Sequence, residues 1–313
     1  MVEASEVTRR FGSVTAVQSV TLTVGEGEIF GLLGPNGAGK TTFLNLITGQ
    51  LAADSGTIHV DGLDVSRKTL EVRRLIGLIP QDLAIYPDVS AQENVAFFGR
   101  LYGLWGKPLR KAVEASLEFV GLQDAARKLP KTFSGGMKRR LNIACGIVHS
   151  PRLVLMDEPT VGIDPQSRHH ILRSVEQLNR DGSTIIYTSH YMEEVERICS
   201  RIAILDHGRV IAEGTLHELT KLVRDATTIV ITLKEPAAIA EEELLSIEGV
   251  RSVSVTDSTI NVTSDSNVYN IDAILSYFMT NKIVLRGVAM DEPSLETVFL
   301  SLTGRTLRDG GSE

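Results

Sequence analysis

The sequence predicts an α/β core built on parallel strands, interrupted by a helical insertion and followed by a small C-terminal α+β domain. Three observations carry that prediction. Short apolar runs at residues 29–33, 57–60, 76–79, 153–156, 184–188 and 202–205 alternate with helical stretches at 137–149 and 170–178, the rhythm of strands joined by crossover helices. From about Ala84 to residue 135 the patterning is helical, 113–120 included. Beyond Asp225 the order becomes strand, helix, two strands, helix, strand and a closing helix.

Taken in order, residues 20–24 (Val-Thr-Leu-Thr-Val) alternate with period two, and Gly25-Glu26-Gly27 after them is a turn. Residues 29–33 (Ile-Phe-Gly-Leu-Leu) have no polar face, as a strand covered on both sides requires. The C-terminal part is expected as strands at 227–233, 250–255, 259–263 and 283–288, with helices at 237–245, 269–279 and 294–302. That βαββαβ order is the ferredoxin-like pattern, and Pro293-Ser294 with Glu296 marks the start of the last helix. The expected division is residues 1–222, with the helical subdomain at about 84–135, then 226–304, then a disordered tail at 305–313 that includes Arg308.

Length and composition agree with this. A chain of 313 residues has room for about two domains. Hydrophobic residues at 42% and charged residues at 23% are the composition of a soluble globular protein, which excludes disordered and small disulfide-rich classes. The net charge of −7, from 32 basic and 39 acidic residues, gives no support for bulk nucleic-acid binding. Cys145 and Cys199 are the two cysteines, both in apolar helical surroundings, and imply a reducing compartment. No apolar run reaches the roughly 18 residues of a spanning helix, and the acidic N-terminus is unlike a signal peptide. A cytoplasmic protein is expected, one that meets a membrane through a partner.

Gly34-Pro35-Asn36-Gly37-Ala38-Gly39-Lys40-Thr41 satisfies the phosphate-loop pattern G-x-x-x-x-G-K-[ST], with an apolar strand before it and helical Thr42-Phe43 onward after it. Glycines let backbone N–H groups turn inward around a polyphosphate, and the helix N-terminus adds the positive end of its dipole. Lys40 supplies a point charge for the β- and γ-phosphates, and the Thr41 hydroxyl is suited to Mg²⁺. The chain is therefore expected to bind a nucleoside triphosphate.

Two further segments have chemistry to offer. Leu153-Val-Leu-Met-Asp157-Glu158 is an apolar strand ending in two acids. Asp157 could hold Mg²⁺ through water and Glu158 could polarise an attacking water; equally, the pair could cap the next helix. Phe133-Ser134-Gly135-Gly136-Met137 opens a helix and offers a second anion-ready N-terminus, or an ordinary N-cap.

The ordered set of the phosphate loop, Ile79-Pro80-Gln81, Ser134-Gly135-Gly136, Met156-Asp157-Glu158, Gly162-Ile163-Asp164 and Thr188-Ser189-His190 resembles the ATP-binding subunit of ATP-binding cassette (ABC) transporters over residues 2–219. That resemblance implies a head-to-tail dimer with two sandwiched ATP molecules. The phosphate loop of each copy would face Ser134, Gly135 and Gly136 of the other. It further implies Gln81 on Mg²⁺ and sensing the γ-phosphate, Glu158 as general base, Asp164 communicating across the dimer and His190 on the γ-phosphate. Phe133 and Met137 depart from the common Leu and Gln, and a methionine has no amide to offer nucleotide. Phe11 stands where the family often has a tyrosine that stacks on adenine; stacking and a place in the core at the strand edge are both open for it.

The C-terminal residues 292–304 and the Ser-Gly-Gly-Met-Lys-Arg-Arg run at 134–140 are similar to exporter ATPases of the ABC-2 kind, including daunorubicin-type drug-resistance subunits. The implied protein is an ATPase that dimerises on MgATP, as a homodimer, and drives an ABC-2 type membrane permease from the inner face of the cell membrane. The helical insertion would dock the permease through Tyr86, Val95, Phe97, Phe98 and Leu101, unless these pack within it. Three readings compete. One is a mechanochemical ATPase on ribosomes or nucleic acid, whose relatives carry paired cassettes or long coiled coils not found here. A GTPase switch lacks its Asn-Lys-x-Asp base reader in this chain. A sensor would use the C-terminal domain as its binding module.

Overall fold

Ile29–Leu33 is buried at every residue and runs through the middle of a six-stranded sheet. The computed structural model describes residues 1–222, 226–237, 239–265, 268–291 and 294–303; Pro293 and the tail from residue 305 lie outside them. From edge to edge the sheet orders Arg209–Gly214, Arg201–Asp206, Ile29–Leu33, Thr184–Thr188, Leu153–Asp157 and Ile76–Ile79. Its first pair is antiparallel and the rest are parallel. Leu153–Asp157 and Thr184–Thr188 are also buried at every residue, which is why they read as continuous apolar runs.

A second, antiparallel sheet orders Val14–Val24, Val2–Phe11, Ser55–Val60 and Leu63–Asp64. The run at 57–60 belongs here and not to the parallel core, because it pairs antiparallel with Val2–Phe11. One core cluster joins Val7, Val20 and Leu22 of this sheet to Leu32, Leu155 and Ile186 of the other. Phe43, Leu44, Leu46 and Ile47 of the helix Lys40–Ile47 complete it. Phe43 is fully buried, so truncating it to alanine costs about 3–5 kcal/mol. The phosphate-loop helix is thereby anchored from below.

The insertion contains helices Ala91–Leu101 and Gly106–Phe119, and the helix Gly135–Ile147 follows it. Ser90 and Glu93 form a reciprocal capping box at the start of the first.

The chain divides into two compact units, Met1–Leu216 with Thr303 in the first and His217–Leu302 as the second. In the second, the antiparallel sheet orders Val250–Thr256, Thr259–Asp265, Ala226–Leu233 and Leu285–Asp291. Ile229, Ile231, Ile260 and Val262 pack with Ile274 and Phe278 of the helix Ile271–Thr280. This is the ferredoxin-like order. The helix expected at 237–245 is Glu241–Leu245. Pro236 stands before it, and the three glutamates 241–243 fill its first turn, where the helix dipole favours them.

Candidate functional site

The phosphate loop needs glycine at two places for want of room. A Cβ on Gly34 would lie 2.3 Å from Leu205 O, and one on Gly39, at φ +105°, 2.2 Å from Ala16 O. Both carbonyls belong to flanking strands, so the fold presses the loop into its cradle. Lys40 is 6% exposed; its ammonium donates to Gly34 O at 2.7 Å and Pro35 O at 3.2 Å and lies 3.8 Å from Glu158 Oε1. Burial lowers the Lys40 pKa more than Glu158 and Asp157 raise it.

Asp157 and Glu158 meet the loop from the end of Leu153–Asp157. Asp157 Oδ2 accepts from Thr41 Oγ1 at 2.7 Å, and Asp157 Oδ1 from Thr188 Oγ1 at 2.7 Å. Glu158 turns into the left-handed region at φ 47°, a conformation that costs a non-glycine residue roughly 1 kcal/mol or more. Its N–H, held by Thr188 O at 3.2 Å and Thr188 Oγ1 at 2.9 Å, fixes that turn. His190 Nδ1 donates to Glu158 Oε2 at 3.1 Å. That bond, then the Lys40 charge, lowers the Glu158 pKa against the opposing effect of burial. The acids do not cap the following helix: Asp164 does, accepting from Ser167 N at 2.9 Å.

Ser134 caps Gly135–Ile147 through Met137 N at 3.3 Å. Ser134 and Gly135 are exposed, whereas Gly136 is buried. A Cβ on Gly136 would lie 2.0 Å from Ser167 Oγ and 3.5 Å from Asp164 Oδ2. Ser167 Oγ in turn donates to Asp164 Oδ2 at 2.7 Å. Asp164 and Gly136 are thus brought together within one copy.

Gln81 lies exposed in the loop after Ile76–Ile79 and lines a cavity of about 530 Å³ with Thr41 and Asp157. Hydroxyl, amide and carboxylate oxygens make a hard donor set, which fits Mg²⁺. Phe11 is 45% exposed, with the Arg9 guanidinium 4.9 Å from its ring centre, so it is not a core residue. In the insertion, Tyr86, Phe97 and Leu101 are exposed and Phe98 is half-buried. Val95 is fully buried and is no surface residue: with Ala91, Asn94 and Gly99 it forms the inward stripe of its helix. Sequence reasoning missed Thr188 as a site residue. Its signal is the parallel pairing of its strand with Leu153–Asp157, which sets Thr188 opposite Asp157.

The class this defines is the P-loop nucleotide hydrolase. The sequence model of the family described as "ABC transporter" matches residues 17–161, and a second, described as an AAA domain, overlaps it at 129–196. The linearmycin resistance ATP-binding protein LnrL of Bacillus subtilis (strain 168) is 43% identical over 99% of this chain and 100% of its own length. The daunorubicin resistance ATP-binding protein DrrA3 of Streptomyces coeruleorubidus is 36% identical over 95% and 93%. Among solved structures, the dimeric post-hydrolysis ATP-binding cassette MJ0796 bound to ADP and Pi is similar with a TM-score of 0.64 and 28% identity. It covers 69% of this chain and 99% of that one. The chain belongs to the ATP-binding proteins of ABC transporters, and it is an ATPase.

Proposed function

We propose that two copies of this chain close head to tail on two MgATP and that hydrolysis reopens them, driving export through a separate ABC-2 type permease. The observation that carries this reading is the meeting of Lys40, Thr41, Asp157, Glu158 and His190 at the ends of three neighbouring parallel strands. A Nod factor export ATP-binding protein, 37% identical over 98% of this chain, supports export, and the dimeric cassette supports the pairing.

Backbone N–H groups of Gly34 and of Asn36 to Thr42, with Lys40, cradle the phosphates, and Phe11 stacks on the base. Thr41, Gln81 and Asp157 would hold Mg²⁺, whose charge when bound offsets that of the phosphates. Glu158 takes the proton of the attacking water, and His190 orients Glu158 and reaches the γ-phosphate. Ser134, Gly135, Gly136 and Asp164 address the ATP held by the other copy. The cassette is assigned to residues 1–216 and the second domain to 217–302, following the two compact units.

No described helix is long and apolar enough to cross a membrane. In this reading the chain is held at the inner membrane face by its permease. Tyr86 and Phe97 meet edge to face at 5.2 Å, as do Phe97 and Phe98 at 5.5 Å; with exposed Leu101 they form an aromatic docking surface. Glu158→Gln protein, loaded with ATP, should co-purify from its native membranes with a multi-spanning protein that lacks a cassette. Alanine at Tyr86, Phe97 and Leu101 together should abolish that capture, and placed in the otherwise wild-type chain should leave ATP hydrolysis intact. Capture of ribosomal or DNA-associated proteins instead contradicts the exporter reading.

A further inference from the structure

Glu194 lies on the helix Met192–Ile198 and is 3% exposed. Its Oε2 accepts from three hydroxyls: Thr160 Oγ1 at 2.8 Å, Tyr187 OH at 2.8 Å and Ser189 Oγ at 2.9 Å. Its Oε1 lies 3.3 Å from Arg168 Nε, an ion pair without an aligned hydrogen bond. Thr160, Tyr187 and Ser189 are themselves at most 1% exposed. Burial, and then the Glu194 charge, push the Tyr187 hydroxyl well above its ordinary pKa, so it remains a donor.

Each partner stands beside a residue of the site. Thr160 follows Glu158 by two positions, and Ser189 immediately precedes His190. Arg168 is one turn into the helix that Asp164 caps. Its guanidinium lies 4.0 Å over the Tyr191 ring, which in turn lies 4.2 Å from the His190 ring. Tyr191 N–H donates to Ser189 Oγ at 2.9 Å, so the loop bearing His190 is tied to Glu194 through one serine. A glutamate on a short helix ordinarily faces water, and burying it is costly unless every contact is made. Here the contacts go to the loop after Glu158, to the strand and loop leading to His190, and to the helix that Asp164 caps.

We propose that Glu194 is a positioning residue for hydrolysis, joining the loop after Glu158 to the loop bearing His190 so that the two side chains stay in contact, with Arg168 linking that junction to the Asp164 helix. The proposal rests on the roles given above to Glu158 and His190.

The test is steady-state ATP hydrolysis by the full chain. Glu194→Gln keeps the size but loses the charge facing Arg168; its kcat should fall about tenfold or more while KM for ATP stays within about threefold. Tyr187→Phe and Ser189→Ala, each removing one donor, should lower kcat by about two- to fivefold. These milder variants answer the question if Glu194→Gln fails to fold. In a His190→Ala background, Glu194→Gln should cost less than about twofold more, because little remains to be positioned. A Glu194→Gln kcat equal to wild type, a loss expressed in KM, or a full second loss in the His190→Ala background overturns the proposal. Glu158→Gln and His190→Ala separate the two levels: wild-type turnover in them removes the site assignment itself. Strongly reduced turnover in them beside a fully active Glu194→Gln removes only the role of Glu194.

Discussion

His190 Nδ1 lies 3.1 Å from Glu158 Oε2, across 32 residues of chain. Two parallel neighbours, Leu153–Asp157 and Thr184–Thr188, deliver them. A base held by a second group in this way is oriented before substrate arrives.

Lys40→Ala should weaken ATP binding about tenfold or more, read by titration with a fluorescent nucleotide. The ammonium is buried against the loop carbonyls and Glu158, so the variant also frees Glu158 from its cation. Wild-type affinity would remove Lys40 from the phosphate site.

Gly136→Ala should lower kcat by about tenfold or more with ATP affinity of the separated copies retained, because the methyl group meets Ser167 2.0 Å away. Ser167→Gly in the same chain removes the obstruction and should restore most of the rate. If the double variant stays as slow as Gly136→Ala, the packing of Gly136 on Ser167 is not the cause.

Phe11→Ala should weaken ATP binding by roughly tenfold, the worth of one base stack, with the melting temperature unchanged because the ring is 45% exposed. Phe11→Trp should retain affinity. A variant that loses stability instead of affinity would return Phe11 to a structural role.

His149 stacks on Tyr102 at 3.5 Å, its Nε2 is 3.1 Å from Ile76 O, and burial lowers its pKa from 6.5 to about 4. The unfolded chain therefore takes up this proton first as pH falls. Its contribution to stability is full above about pH 6.5 and is lost progressively toward pH 4. Thermal melts at about pH 7.5 and pH 5 should show a smaller acid loss for His149→Phe than for wild type. Equal losses would show that His149 is not the titrating group.

Much of the site was legible because its parts are local. The phosphate loop, the strand before it and the helix after it are contiguous from Ile29 to Ile47, and Asp157-Glu158 ends an unbroken apolar strand. The long hairpin Val2–Phe11 and Val14–Val24 was legible only at 20–24. Glu6 at φ 50° and Ser19 at φ 47° break the alternation, and the register shifts between Ala4 and Val7. Val95 stayed open between docking and packing because helical spacing defines a stripe without saying which partner covers it; it packs inward. Glu194 gave no signal at all, since Thr160, Tyr187 and Ser189 converge on it only in the folded chain.

The central claim is that Glu158 is the base of an ATPase that works as a closed dimer. The measurement is ATP turnover by Glu158→Gln, with nucleotide binding and molecular mass in MgATP recorded on the same sample. Turnover should fall by about 10²–10⁴ while ATP stays bound and a dimer accumulates. Hydrolysis at the wild-type rate would contradict the account.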